Sequence, residues 1–224
     1  MPLAKGVQIE RNLLGDQVYD YLREAVLDGD LGQGERVVEA RIARQLSVSR
    51  APVREAINRL LGDGLLEAHT HVGTTVVRMT PGKIRHLYEL RAAIEGLAIR
   101  KVVARRERLD LAPLHACVDE MGRMARAGDL RRLVEAEVAF HRILCELSGN
   151  PYVVAMNETL AAQMRLALVI DNARYAEMAE VAQEHVPLLE VILAGDPDRA
   201  AQMIHAHIMS SLDRLPATGT GADA

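Results

Sequence analysis

Val48-Ser49-Arg50-Ala51-Pro52-Val53-Arg54-Glu55-Ala56 reads as the first turns of a helix. Ser49 is a predicted N-cap, its hydroxyl placed to accept from an orphan N–H of the first turn. Pro52 falls at the third helical position, where its missing N–H costs no intrahelical bond. Val53, Ala56, Ile57, Leu60 and Leu61 recur at helical spacing and define one apolar face. Arg50 and Arg54 lie four apart and project side by side from another face. Two guanidiniums near a helix N-terminus are what bidentate reading of guanine in the major groove requires. A solvated helix face is the alternative reading of the same arginines.

Working outward, a first helix is predicted from Leu13 to Leu27, stopped by Asp28-Gly29-Asp30 and Gly32-Gln33-Gly34. A short second helix, Glu39 to Leu46, leads through Ser47-Val48 into the Ser49 helix, which ends at Gly62-Asp63-Gly64. Leu65–Ala68 and Thr74–Arg78 then read as two short strands around a tip at His71-Val72-Gly73. Helix, helix, turn, helix and hairpin is a winged helix-turn-helix. After Thr80-Pro81-Gly82 the chain reads as helix, over 82–107, 110–127, 130–148, 151–171, 174–194 and 197–213. The breaks between these helices are Gly128-Asp129, Ser148-Gly149-Asn150-Pro151 and Gly195-Asp196-Pro197. Six helices joined by short loops predict an antiparallel bundle. The expected fold is therefore mainly α. A winged domain covers 1–78, opening with a loose arm at 1–11. A helical effector-binding and dimerisation domain covers 79–216, and a disordered tail covers 217–224.

Composition narrows the function. With 224 residues, 49% of them hydrophobic, no tryptophan and one phenylalanine, the core must be aliphatic, which suits packed helices. A net charge of −4 argues against a general polyanion binder. DNA binding would rest on a local patch and on dimerisation; the stretch 35–61 carries six arginines against three glutamates. Cys117 and Cys145 lack metal-type spacing and read as free buried thiols. No charged-then-apolar leader opens the chain. The apolar stretch 151–170 is interrupted by Asn157, Glu158 and Arg165. A cytoplasmic protein without membrane contact is expected.

The chain resembles the GntR family of bacterial transcription regulators, in the FadR-type subgroup with an all-helical FCD effector domain. In the first half the resemblance rests on Leu31-Gly32-Gln33-Gly34-Glu35-Arg36, on Val48–Ala56, and on Gly64-Leu65 ahead of Gly73. In the second half it rests on Glu89-Leu90-Arg91-Ala92-Ala93-Ile94-Glu95, Phe140-His141, Ser148-Gly149-Asn150-Pro151, Glu184-His185, Gly195-Asp196 and His207. It implies a homodimeric repressor or activator that binds double-stranded operator DNA and responds to a small metabolite. Arg50 and Arg54 match positions that contact base edges. Ser49 matches a phosphate contact, and Gly73 with His71 matches the wing tip that reaches the minor groove. Ala51 stands where the family commonly has Thr, removing one possible contact. Arg41 and Arg44, on the preceding helix, could touch phosphate on charge alone.

Of eight histidines, His141, His185 and His207 stand on three bundle helices, and Glu137 lies four residues before His141. One carboxylate and three imidazoles converging from three helices would form a metal site suited to Zn²⁺, Ni²⁺, Fe²⁺ or Mn²⁺, with positions open to a ligand. Sequence alone does not bring these helices together, and without more each histidine reads first as a satisfied core or surface residue. The resemblance supplies the convergence, since many FCD domains hold a divalent metal with one Asp and three His. Glu137 is the expected counterpart of the Asp, its extra methylene moving the carboxylate about 1.5 Å. His205, two residues from His207, points elsewhere, and His69, His86 and His115 have no constellation.

Arg91 matches a position that often faces the effector cavity, where it would favour a small carboxylate; pairing with Glu95 at i+4 is the alternative. Control of DNA binding would pass through Arg78-Met79-Thr80-Pro81-Gly82 as a change in the spacing of two winged domains. Two rivals remain: a regulator with a purely structural metal, and a mononuclear metalloenzyme. A di-iron oxidase needs Glu-x-x-His pairs, and none of the eight histidines has a glutamate three positions before it.

Overall fold

The computed structural model describes residues 13–215. The expected arm at 1–11 and tail at 217–224 lie outside them. The chain divides into two compact units after Arg78.

In the first unit α1 is Leu13–Leu27, α2 is Glu39–Gln45 and α3 is Arg50–Gly62. α1 and α2 both pack on α3. Val18, Leu22 and Val26 meet Val53, Ala56, Ile57 and Leu60, all buried. Each of the larger side chains contributes about 1.5–3 kcal/mol by leaving water. The turn between α2 and α3 places Ser47 at φ 55°, the one left-handed non-glycine among the described residues. The hairpin pairs β1 (Leu66–His69) antiparallel with β2 (Gly73–Val76), from Leu66 opposite Val76 to His69 opposite Gly73. The strands sit within two residues of the expected ones.

The wing has a third member that no sequence pattern announces. The backbone of Glu35–Val37 runs beside β2, with Val37 N donating to Thr74 O at 2.8 Å and Val76 N to Glu35 O at 2.9 Å. A three-residue segment holding two charges shows no alternation to detect.

The second unit contains α4 (Pro81–Arg105), α5 (Ala112–Ala127), α6 (Leu130–Leu147), α7 (Pro151–Asn172), α8 (Ala179–Ala194) and α9 (Pro197–Ser210). Four of their N-termini carry side-chain caps. Thr80 accepts from Lys83 N, Asp129 from Arg132 N, Asn150 from Tyr152 N, and Asp196 from Asp198 N and Arg199 N. Gly128 and Gly195 end α5 and α8 in left-handed conformation. Two expectations are corrected. α8 starts at Ala179 rather than 174, and the last helix stops at Ser210, with Ser211–Arg214 as a 3-10 turn. Arg214 in that turn clamps the buried carboxylate of Asp171 through two nitrogens at 3.0 and 3.3 Å.

α4 packs against α6, α7, α8 and α9. Its buried face carries Arg91 and Glu95 among aliphatic side chains, and the elements around it add Glu137, His141, Asp171, Asn172 and His185. A bundle that buries this many polar groups needs partners for them. α7 is long and apolar enough to cross a bilayer by length and composition. Here it packs on α4 and α6, and its Arg165 pairs with Glu135 of α6 at 3.3 Å. Cys145 is fully buried beside Ala98 and Val153, which pushes its thiol pKa upward; Cys117 is only half-buried, short of the expectation.

Candidate DNA-reading face and histidine centre

On the first unit, Ser49, Arg50 and Arg54 are all exposed at the start of α3. Ser49 occupies the N-cap position as expected, but its side chain makes no capping bond, against the expectation. Both arginines converge on one carboxylate, that of Glu39 at the first position of α2. Oε1 of Glu39 accepts from Arg50 Nε at 2.8 Å and from Arg54 Nη2 at 3.0 Å, and Oε2 accepts from Arg54 Nε at 3.2 Å. The Arg54 hydrogen bond, more than the Arg50 one, draws the Glu39 carboxyl below the ordinary range. Arg41 pairs with Glu35 at 3.1 Å, and Arg44 is exposed.

At the wing, His71 and Gly73 are exposed. Gly73 has φ 89°, which a side chain would strain. The Arg36 guanidinium lies about 3.5 Å from where a Cβ on Gly73 would sit. Sequence reading did not select Arg36, because its place beside the wing depends on the unforeseen pairing of 35–37 with β2.

In the second unit, His141 of α6, His185 of α8 and His207 of α9 come together, one ring nitrogen of each lying within 4.8 Å of the others. His185 stands edge-on to His207 with centroids 4.5 Å apart, and Phe140 presents its ring to both His141 and His185. The Nε2 atoms of His141 and His185 are 3.2 Å apart. Their outer nitrogens are engaged. Nδ1 of His141 meets Oε2 of Glu95 at 2.6 Å, and Nδ1 of His185 meets the Val181 carbonyl at 2.7 Å.

A carbonyl only accepts, so His185 carries its proton on Nδ1. Glu95 forces the same tautomer on His141. Burial alone would raise its carboxyl, but His141 and Arg91 outweigh that and bring it to about 2, leaving an acceptor. Burial keeps all three imidazoles neutral. His141 is lowered, with Arg91 adding to the effect; His185 falls to about 3, with His141 adding; and His207 is lowered well below its ordinary value, with His185 adding. The two Nε2 atoms therefore face each other as lone pairs. Two imidazole nitrogens on one tetrahedral zinc ion, each 2.0–2.1 Å from it, are separated by about 3.3 Å. The donor set fits a divalent metal, and the outer nitrogens of His141 and His185 already have the partners such ligands usually have.

Glu137 is the main correction. It is not part of the convergent group. Its Oε2 accepts from Asn172 Nδ2 at 2.6 Å. That bond holds the carboxylate toward Asn172 at the end of α7. Burial raises its carboxyl to about 7, against the pull of Arg91 and Asn172. The carboxylate that reaches the histidines is Glu95, from α4. Its signal in the sequence was the i+4 spacing from Arg91, which sets both on one face.

Arg91 makes the i+4 pair with Glu95 that was the alternative reading of its role. Its Nε donates to Glu95 Oε1 at 2.8 Å, while its Nη2 is buried without a partner. It lines, with His141, Met164 and Leu168, a cavity of about 50 Å³. Tyr88 Oη and Asn172 Oδ1 are likewise buried and unpartnered among the described residues. His205 is exposed, as its spacing from His207 predicted.

The model of the bacterial regulatory proteins of the gntR family matches residues 14–76, and the FCD domain model matches 86–210. The chain belongs to the GntR family. Among curated GntR relatives, the "Probable D-xylose utilization operon transcriptional repressor" of Paenarthrobacter nicotinovorans is 28% identical over 99% of this chain and 97% of its own. The Nta operon transcriptional regulator of Aminobacter aminovorans is 30% identical over 81% of this chain and 85% of its own. Among solved structures, a GntR regulator from Rhodococcus sp. RHA1 superposes with a TM-score of 0.75 at 22% identity, covering 89% of this chain and 96% of its own. These GntR proteins are transcriptional regulators, not enzymes, which disposes of the metalloenzyme reading.

Proposed function

We propose that this regulator reads operator DNA as a cytoplasmic homodimer, and that a small carboxylate metabolite bound beside a divalent metal sets its DNA affinity. Ser49, Arg50 and Arg54 of α3 are the reading groups, with His71 and Gly73 at the wing; Arg41 and Arg44, exposed on α2, would touch phosphate. The observation that carries the ligand half is the pair of Nε2 lone pairs 3.2 Å apart in His141 and His185. Without a cation between them they repel.

His141, His185 and His207 would hold the metal, with Glu95 orienting the first of them. A divalent ion would supply an electrophilic centre with coordination positions left over for a carboxylate oxygen. Arg91, charged and with one buried nitrogen unpartnered, supports an anion as the ligand. The dimer is supported by exposed Leu90 and Leu97 of α4 with Tyr152 and Met156 of α7, apolar groups on two helices that pack together. A relative named as an operon repressor supports repression as the output. The metabolite alters DNA binding to the extent that it binds the two arrangements of the dimer unequally.

Calorimetry with a panel of organic acids, on zinc-loaded and chelator-stripped protein, tests the site. Heat of binding in the loaded protein alone is the expected result. Equal binding in both rejects the bridge between metal and arginine. No binding by the loaded protein, with a raised melting temperature, makes the metal structural.

A further inference from the structure

The geometry points to Glu39 as the positioning residue that presents Arg50 and Arg54 to the bases in a fixed register. This rests on the reading of those two arginines as base contacts. A guanidinium has two forks: the side edge of Nε and one Nη, and the end edge of the two Nη groups. Glu39 occupies the side edge of Arg54 with both carboxylate oxygens and takes Nε of Arg50. The end edges stay open. An end edge is a fork that can meet O6 and N7 of guanine.

The two arginines are otherwise long, solvent-facing side chains, with 63% and 62% of their side-chain surface exposed, whereas Glu39 exposes only 20%. An exposed arginine loses rotamer freedom on docking. Tying two of them to a single, more buried carboxylate removes part of that freedom before DNA arrives. The same carboxylate adds negative charge at a phosphate-rich surface, so it opposes non-specific attraction. Both effects increase discrimination between sequences. A carboxylate that merely competed with DNA would instead lower affinity for every duplex alike.

The test uses the full-length protein and a duplex selected by it from a random library, against a scrambled duplex of equal length, in mobility-shift titrations. Glu39→Gln is expected to weaken the selected duplex about tenfold or more while binding the scrambled one as well as, or better than, wild type. Glu39→Asp, which keeps the charge, should restore part of the discrimination. In an Arg54→Ala background the Glu39→Gln effect should shrink several-fold, because the two act as a unit. Equal or tighter binding of the selected duplex by Glu39→Gln, with discrimination intact, overturns the positioning role. So does a loss of equal size on both duplexes. If Arg54→Ala alone leaves the selected duplex bound as in wild type, the reading of α3 fails and the role of Glu39 fails with it. Matching thermal melts of the Gln and Asp variants separate these outcomes from misfolding.

Discussion

Oε2 of Glu95 lies 2.6 Å from Nδ1 of His141, and the other oxygen of the same carboxylate lies 2.8 Å from Nε of Arg91. One buried acid thus fixes both a candidate metal ligand and the candidate anion-binding cation. Glu95→Gln should weaken zinc affinity about 10–100-fold, the usual cost of losing such an orienting partner. Competition with a chromophoric chelator measures it. Affinity within about threefold of wild type would show that the carboxylate serves only to pair Arg91.

The histidines make the metal-free protein acid-sensitive. Their folded pKa values lie below the unfolded value of about 6.5, with His185 at about 3. Below pH 6.5 the unfolded chain takes up protons that the folded one refuses, so unfolding is favoured as pH falls toward 3. Stability is full above about pH 6.5 and declines below it. Urea melts of chelator-stripped protein at about pH 7.5 and about pH 5.5 should differ, and His185→Gln should flatten the difference. Equal midpoints in the wild type would mean the rings are hydrated rather than buried.

Glu137 acts with the opposite sign. Its folded pKa, about 7, stands above the unfolded value, so its contribution is present below about pH 4.3 and lost as pH rises through 7. Glu137→Gln keeps an acceptor for Asn172 and removes the buried charge. In metal-free protein it should stabilise by roughly 3–4 kcal/mol at about pH 8 and by little at about pH 4. Thermal melts of the variant against wild type across that range check the sign. Destabilisation at high pH would show that Glu137 is needed as an anion.

Arg54→Ala should cost roughly 1–3 kcal/mol in specific DNA binding and relax sequence preference. The helical domain should be unchanged in its melt. A mobility shift at wild-type affinity and selectivity would remove α3 as the reading element.

The helix boundaries were legible because caps act locally. Asp196-Pro197 and Asn150-Pro151 announce a helix start to a reader of four residues, and the structure places both there. The start of α8 was not legible, since its N-cap, Met178, makes no side-chain cap bond. The three histidines were legible as candidates, and the resemblance supplied their meeting. The choice of carboxylate was misread for a geometric reason. Glu137 and Glu95 both sit four residues from a site residue, and only the packing of α4 on α6 decides which oxygen crosses to His141. Glu39 was passed over because its two partners lie 11 and 15 residues away, across a turn.

The chain has five tyrosines and no tryptophan. Of the tyrosines only Tyr88 is buried, and it lies within 5.6 Å of the Arg91 guanidinium. Its hydroxyl is buried without a hydrogen-bond partner among the described residues, in the field of Asp171, Arg91 and Glu137. The protein therefore carries its own optical probe. Ultraviolet emission, free of indole background, comes from a small set of phenols, and the one in the interior is the one a bound acid would perturb. Occupancy can be followed in the unlabelled native chain, with Tyr88→Phe as the blank.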